Sequence, residues 1–391
     1  MALSKIDVAN MLTGIAPVAN GGTASTTLVA AGLGKRPLSK PIIINGNMAV
    51  AQRGTSFAAI GDGVYSLDRY EASKNNDGAV TITQEALTSG NAYTDGFRTA
   101  LKVDVTTADG TLAGTQRFLV QQIVEAQNLQ SLKFGTANAE KLTLSFWVKA
   151  TKTGTHIVRM YQYDDDRSAS IAYTISTTNT WEKKVMNFPA DTTGVIDNNN
   201  GHGIQIAWAV GAGADFQSGT LATAWAGNTS ANDFVGQVNG LDNTSNNFHL
   251  TGIQLEVGEF SSTTLPPFQH ESFGDNLERC QRYYYKIGPM ASGEFFGDGN
   301  IDGSTDAQIL IPFPVTMRTN PTAIETSGTG SHYTIRLSQN NNCDAVPVFS
   351  STGIESALVI FKKSSHGLTN EAAALGRSNN DAAYLAWSAE L

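Results

Sequence analysis

The residues with the strongest chemical pattern lie late in the chain. Asp298-Gly299-Asn300-Ile301-Asp302-Gly303 sets oxygen donors at alternate positions with glycine at the sharp turn, and Asp306 falls on a fourth donor position. That spacing opens a calcium loop, which needs several hard oxygen ligands around one ion. Ile309 stands where the closing bidentate glutamate belongs, so the segment reads either as a weak calcium site or as a polar hairpin whose Asp and Gly residues serve the turn. Asp164-Asp165-Asp166-Arg167, directly after a strand pattern, has the look of a solvated loop tip. His156, His202, His249, His270, His332 and His366 are scattered without ligand spacing. No nucleophile elbow, zinc-binding His-Glu-x-x-His, phosphate loop or dinucleotide fingerprint is present. The chain therefore reads as non-enzymatic, with one opening: a glycosidase needs only two facing carboxylates, and spacing does not reveal them.

Aromatic residues offer a second chemistry. Trp147 is out of phase with the apolar residues of its strand, and Trp225 falls in a Gly-rich stretch. Both are candidates for stacking on sugar faces or anchoring an interface, as are Tyr161 and Tyr163, against the alternative of packing within the protein. Trp181 and Trp208 keep the phase of their apolar neighbours and are expected in the core.

The elements that must carry these residues are strands. Of 391 residues only 16% are charged, against about a quarter in ordinary proteins, and Gly alone accounts for 38. Leu142, Leu144, Phe146 and Val148 alternate with Thr143, Ser145, Trp147 and Lys149. Ile171 to Ile175 and Ile204 to Val210 repeat the alternation, as expected of strands with one buried face. Phe248 and Leu250 hold one phase, and Ile253, Leu255 and Val257 the other, which predicts a β-bulge at Gly252. Long polar loops at 191–203 and 211–247 separate the strands.

These features predict an all-β protein. A short helical segment at 1–40 is followed by an antiparallel sandwich over 41–275 and a C-terminal β-domain over 276–391. Asp275 is a candidate cap for a short helix carrying Leu277, Cys280 and Tyr284. Pro312 and Pro314 place the strand from Ala307 to Val315 at a sheet edge. Cys280 and Cys343 are too few for a disulfide framework, although a single bridge stays open. A net charge of -9 argues against nucleic acid as a partner, and no stretch suits a secretion signal or a membrane span.

Several segments in order resemble tail fibres and related virion appendages of tailed bacteriophages. They are Asn45-Gly46-Asn47-Met48 with Gln52-Arg53-Gly54, Tyr65-x-x-Asp68-Arg69-Tyr70, residues 142–150, and Thr180 to Lys184. The run Phe248 to Gly258, Pro267 to His270 and Leu277 to Tyr284 complete the set. Val18 to Thr23 with Thr26-Thr27-Leu28 is similar to the Gly-Gly-Thr segments near fibre N-termini. The resemblance implies a jelly-roll sandwich like a carbohydrate-binding module, a homotrimer, and a virion protein assembled in the host cytoplasm. Residues 1–40 would dock on other tail or virion proteins, and the distal surfaces would bind host-surface polysaccharide. It also implies that a structural calcium can link the Asn45 segment to the closing strand, with Glu256 as a ligand, although Gly252-Ile253-Gln254 replaces the usual paired aspartates. Receptor binding is the leading expectation. A capsid-decoration or tail-connector protein and a polysaccharide depolymerase are the alternatives.

Overall fold

The computed structural model describes residues 40–364 and 368–391. The expected docking segment lies outside them, Lys40 excepted. Alternating apolar residues close two antiparallel sheets over one core, which gives the all-β jelly-roll sandwich. The first sheet runs Ser56–Phe57, Ala79–Ala86, Thr99–Thr107, Asn247–Val257, Leu142–Ala150, Glu182–Phe188. The second runs Ala226–Gly227, Arg167–Ile175, Gly154–Gln162, His202–Ala212, Arg117–Glu125, Glu71–Lys74, Val64–Tyr65. Phe146 from the first sheet meets Trp208 from the second edge-to-face at 5.6 Å between ring centroids, and both are fully buried.

Gly252 does produce the phase slip. Pairing with the neighbouring strand shifts between Thr251 and Gln254, and Gly252 has φ +60°. A Cβ there would lie 2.6 Å from the Phe97 ring, so backbone conformation and space both demand glycine.

The helix Phe273–Gln281 follows, capped by Ser272, whose Oγ accepts the Asp275 amide at 3.1 Å. Asp275 sits inside the first turn and accepts a bond from Ser272 Oγ at 2.5 Å, so the cap lies three residues earlier than the sequence suggests. Cys280 and Cys343 are both free thiols, buried in separate apolar clusters, which settles the bridge left open above.

The rest of the chain forms a second pair of sheets. A three-stranded sheet runs Tyr284–Ile287, Leu385–Ser388, Glu325–Thr326. A seven-stranded sheet runs Asn340–Asn342, Tyr333–Arg336, Ala373–Ser378, Phe295–Asp302, Asp306–Pro312, Ser356–Lys362, Val348–Thr352. Asp306–Pro312 is paired on both sides and is no edge strand, contrary to the proline argument. Pro312 is its last residue and Pro314 lies beyond it, so neither removes a donor from the interior of the ladder.

Charged side chains tie this half to the sandwich. Glu390 pairs with Arg53 at 3.2 Å and with the buried Arg69, whose guanidinium also covers the Tyr283 ring. Arg282 holds the fully buried Glu125 through two bonds of 2.7 and 2.9 Å. Hydrogen bonding by Arg282 keeps the Glu125 carboxyl below its ordinary range against the opposing pull of burial.

Candidate functional site

Strand register builds a row of side chains across the outer face of the second sheet. Ser170 pairs with Arg159, Arg159 with Ala207, Ala207 with Gln121, Gln121 with Glu71, and Glu71 with Tyr65. Directly paired residues point to one face, so the row crosses six strands over about 24 Å.

The loop following this sheet decides how much of the face is open. Phe216, Leu221 and Phe234 fold onto Leu119, Ile157, Ala207 and Ala209 as a small separate apolar cluster. Asp233 from the same loop pairs with Arg159. The polar stretch 211–247 is thus a roof over one side of the sheet. On the other side Asn200 exchanges bonds with Arg318 of the C-terminal half, at 2.6 and 2.9 Å. We call the strip of sheet face between these two contacts, which carries the half-buried Glu71, Tyr161, Tyr163 and His202, the trough.

Its floor is one connected hydrogen-bond chain. Arg159 Nη2 donates to Gln205 Oε1 at 2.7 Å, Gln205 Nε2 to Gln121 Oε1 at 2.9 Å, and Gln121 Nε2 to Glu71 Oε2 at 3.1 Å. Gln205 Nε2 also reaches the Tyr163 hydroxyl at 3.2 Å. Arg159, Gln121 and Gln205 are buried while Glu71 is half-buried, so the network is largely shielded before any ligand arrives. Asp233 Oδ1 and Arg159 Nε are buried with no protein partner. Such unmet groups carry a desolvation cost. Burial raises the Glu71 carboxyl above its usual range and lowers the His202 imidazole, which favours neutral His202.

Aromatic rings stand along the open side. Tyr161 and Tyr163 meet edge-to-face at 4.8 Å, and Tyr163 meets His202 at 4.7 Å. The triple aspartate explains why they stand there. Asp166 accepts the Tyr161 hydroxyl at 2.8 Å, while Asp164 and Asp165 accept the amides of Asp197 and Val195 and pin the neighbouring loop.

The other expected site residues do not join this group. Trp147 lies half-buried on the outer face of the opposite sheet, its Nε1 donating to Asp95 Oδ2 at 3.0 Å. Trp225 is not exposed. The loop that carries it turns back onto the sandwich, where the indole packs edge-to-face on Phe134 at 5.4 Å and donates to the Pro189 carbonyl at 2.9 Å. With its ring in the core it offers no stacking surface.

The calcium-loop reading is also corrected. Asp298, Asn300 and Asp302 lie on the straight strand Phe295–Asp302, with Gly303 at the following turn. Asp302 accepts from Gln308 at 2.6 Å, and Asp306 lies 3.8 Å from Lys362.

Glu256 lines a crevice of about 20 Å³ with Asn47, Gln254 and Glu271. Gln254 Nε2 donates there to Glu256 Oε1 at 2.8 Å and to the Pro266 carbonyl at 3.0 Å. Among the described residues no group of three or more His, Cys, Asp or Glu side chains could hold a metal.

Glu71, Gln121, Arg159, His202 and Gln205 escaped the sequence reading. They sit on four separate strands, and the available signal was a polar residue at the outward phase of each.

No family model matches the chain, and no curated protein matches it. Among solved structures it is similar to the enzymatically active domain of tailspike protein 4 of bacteriophage CBA120, at 13% identity and a TM-score of 0.28. That match covers 51% of this chain and spans only 21% of the tailspike chain. A family 11 carbohydrate-binding module from Clostridium thermocellum, in complex with a β-1,3-1,4-mixed-linked tetrasaccharide, is 12% identical with a TM-score of 0.26. There 55% of this chain and 99% of the module are covered. The N-terminal cellulose-binding domain of Cellulomonas fimi β-1,4-glucanase C is 14% identical with a TM-score of 0.27, covering 57% of this chain and all of that domain (100%).

Proposed function

We propose that the protein is a glycan-binding virion appendage of a tailed bacteriophage, a tail fibre or receptor-binding protein that attaches the particle to host-surface polysaccharide. The observation that carries glycan binding is the trough. The half-buried Glu71 carboxylate, held by the buried amide and guanidinium network behind it, offers an acceptor to sugar hydroxyls, while the half-buried Tyr161 and Tyr163 rings flank it to take the apolar faces of sugars. Because Gln121, Gln205 and Arg159 are already fixed by one another, binding orders few side chains. The network is built to hold a ligand, and Glu71 serves in it as a hydrogen-bond acceptor.

The phage assignment rests on the ordered segments from Asn45 to Tyr284. Residues 1–40 would dock the protein on the virion, and the mature assembly would be a homotrimer in which several weak contacts add by avidity. An apolar row on the C-terminal sheet supports self-association. Leu375 and Leu310 both pair with Asp298, and Leu310, Leu375 and Phe295 are 50%, 37% and 52% exposed. The same row favours the second reading, a decoration or connector protein, if other virion proteins cover it.

A glycan array probed with the purified full chain tests the binding claim, with Gln205→Ala as the control. Binding of at least one glycan by the wild type and its loss in the variant are expected. An array without signal, or equal signal from the variant, contradicts it. Light scattering tests the assembly: a trimer is expected, and Leu310→Glu should yield folded monomers with a lower unfolding midpoint than the assembled wild type.

A further inference from the structure

Charge is distributed unevenly around the trough, and the imbalance selects among glycans. Glu71 is half-buried on its row, with Oε2 accepting the Gln121 amide at 3.1 Å. The charges that act on it most strongly are those of Asp62 and Glu390, both negative. Asp62 is exposed and fixed in place, its Oδ1 accepting the Lys74 amide at 2.7 Å.

The cations of the neighbourhood are already committed. Arg159 pairs with Asp233, and Arg53 and Arg69 pair with Glu390. Lys74 turns its ammonium to the Asn76 carbonyl at 2.8 Å, and Arg318 donates to the carbonyls of Asn200, Ala389 and Glu390. Arg117 is half-buried with its guanidinium 5.0 Å from the Phe216 ring of the roof, where Asp233 and Asp62 both act on it.

The rings along the open side repeat the pattern. Asp166 accepts the Tyr161 hydroxyl at 2.8 Å, while the charge of Glu71 reaches Tyr163 and that of Asp164 reaches His202. Arg159 already stands over the Tyr161 ring at 5.3 Å, so Tyr163 and His202 are the rings left for a ligand. Ring surface beside an ionised carboxylate favours an ammonium through both charge and the π-face, and repels an anion. Covering Glu71 with a neutral sugar would strip water from an ion whose nearest charges are of its own sign. An ammonium supplies the counter-charge together with three donors for the same acceptor. Among the described residues no three His, Cys, Asp or Glu side chains could hold a metal, so an organic cation suits the strip better than a metal ion.

We propose that the trough recognises glycans bearing protonated amines, polymers of de-N-acetylated amino sugars, with the ammonium on Glu71 and the sugar face on Tyr163. This rests on the reading of the trough as the glycan site and narrows its ligands to amino sugars, setting uronate-rich and sialate-rich polymers aside.

The test is calorimetric titration of the full chain, at slightly acidic pH, with oligomers of β-1,4-glucosamine, β-1,6-glucosamine and α-1,4-galactosamine, each beside its N-acetylated counterpart. At least one amine oligomer is expected to bind about tenfold or more tighter than its acetylated form. Glu71→Gln, which keeps the side chain's size and an oxygen for Gln121, should bring the two forms within about twofold of each other. Asp62→Asn, an exposed change, should reduce the preference by a smaller factor, and Tyr163→Ala should weaken both forms. Equal binding of both forms to the wild type, or a preference that survives Glu71→Gln, overturns the choice of ligand and leaves the trough as a glycan site. A glycan array on which only neutral or acidic sugars bind does the same. Silence from every oligomer together with a silent array overturns the glycan reading as well.

Discussion

Two rows of side chains cross two sheets of this molecule, and they differ in what covers them. The row from Ser170 to Tyr65 is polar, largely buried and internally bonded, under a roof made by the loop that carries Asp233 and Phe234. The row Leu375, Asp298, Leu310 on the C-terminal sheet is exposed and mostly apolar. Polar groups in the first are costly to hide, and Arg159, Gln121 and Glu71 are tied together through Gln205. Asp298 in the second is hydrated and has no such constraint. Shielding, as much as residue type, therefore separates the two rows.

Breaking the first row should be expensive. Arg159→Ala leaves Asp233 buried without its cation, and the expected loss of stability is about 3 to 5 kcal/mol in a urea titration. A loss below about 1 kcal/mol would mean that Asp233 is solvated and the trough is not roofed.

Acid should probe the layer beneath the same sheet. His156, on the inner face, stacks between Tyr173 and Phe248 at 5.7 and 6.0 Å, and burial lowers its pKa to about 4. The unfolded chain takes up that proton near pH 6.5, so stability from neutral His156 is complete above that pH and drains away as pH falls toward 4. The full window amounts to about 3 kcal/mol. Urea midpoints at pH 7 and pH 5 should differ more in the wild type than in His156→Gln, and parallel pH profiles would show that His156 titrates freely.

The exposed row should tolerate change. Asp298→Ala with Asp302→Ala is expected within about 0.5 kcal/mol of wild type by the same titration. Adding calcium or a chelator should leave the thermal midpoint of wild type unmoved. A calcium-dependent rise abolished by the double substitution would restore the calcium-loop reading of that strand.

The contrast also shows what sequence carries and what it does not. Alternation along one strand is a local property, so the apolar phase of Leu142 to Val148, the slip at Gly252 and the burial of Trp208 were all legible. Alignment across strands is set by register between residues far apart in the chain, and Glu71, Gln121 and Gln205 become neighbours only through it. Local spacing misled where pairing overrode it, as when Asp298 to Asp302 extended into a ladder and Asp306–Pro312 gained a partner on each side. A Gly-rich loop suggested exposure for Trp225, yet such loops fold back wherever an aromatic ring finds apolar company.

The most direct test of the account is titration of glycan binding against Tyr163→Ala and Leu310→Glu, with unfolding midpoints measured alongside. The account predicts that Tyr163→Ala weakens binding about tenfold or more with little change in midpoint, and that each Leu310→Glu chain keeps the wild-type intrinsic affinity. Undiminished binding by Tyr163→Ala, or loss of intrinsic affinity in Leu310→Glu, would place recognition on the C-terminal row and contradict it.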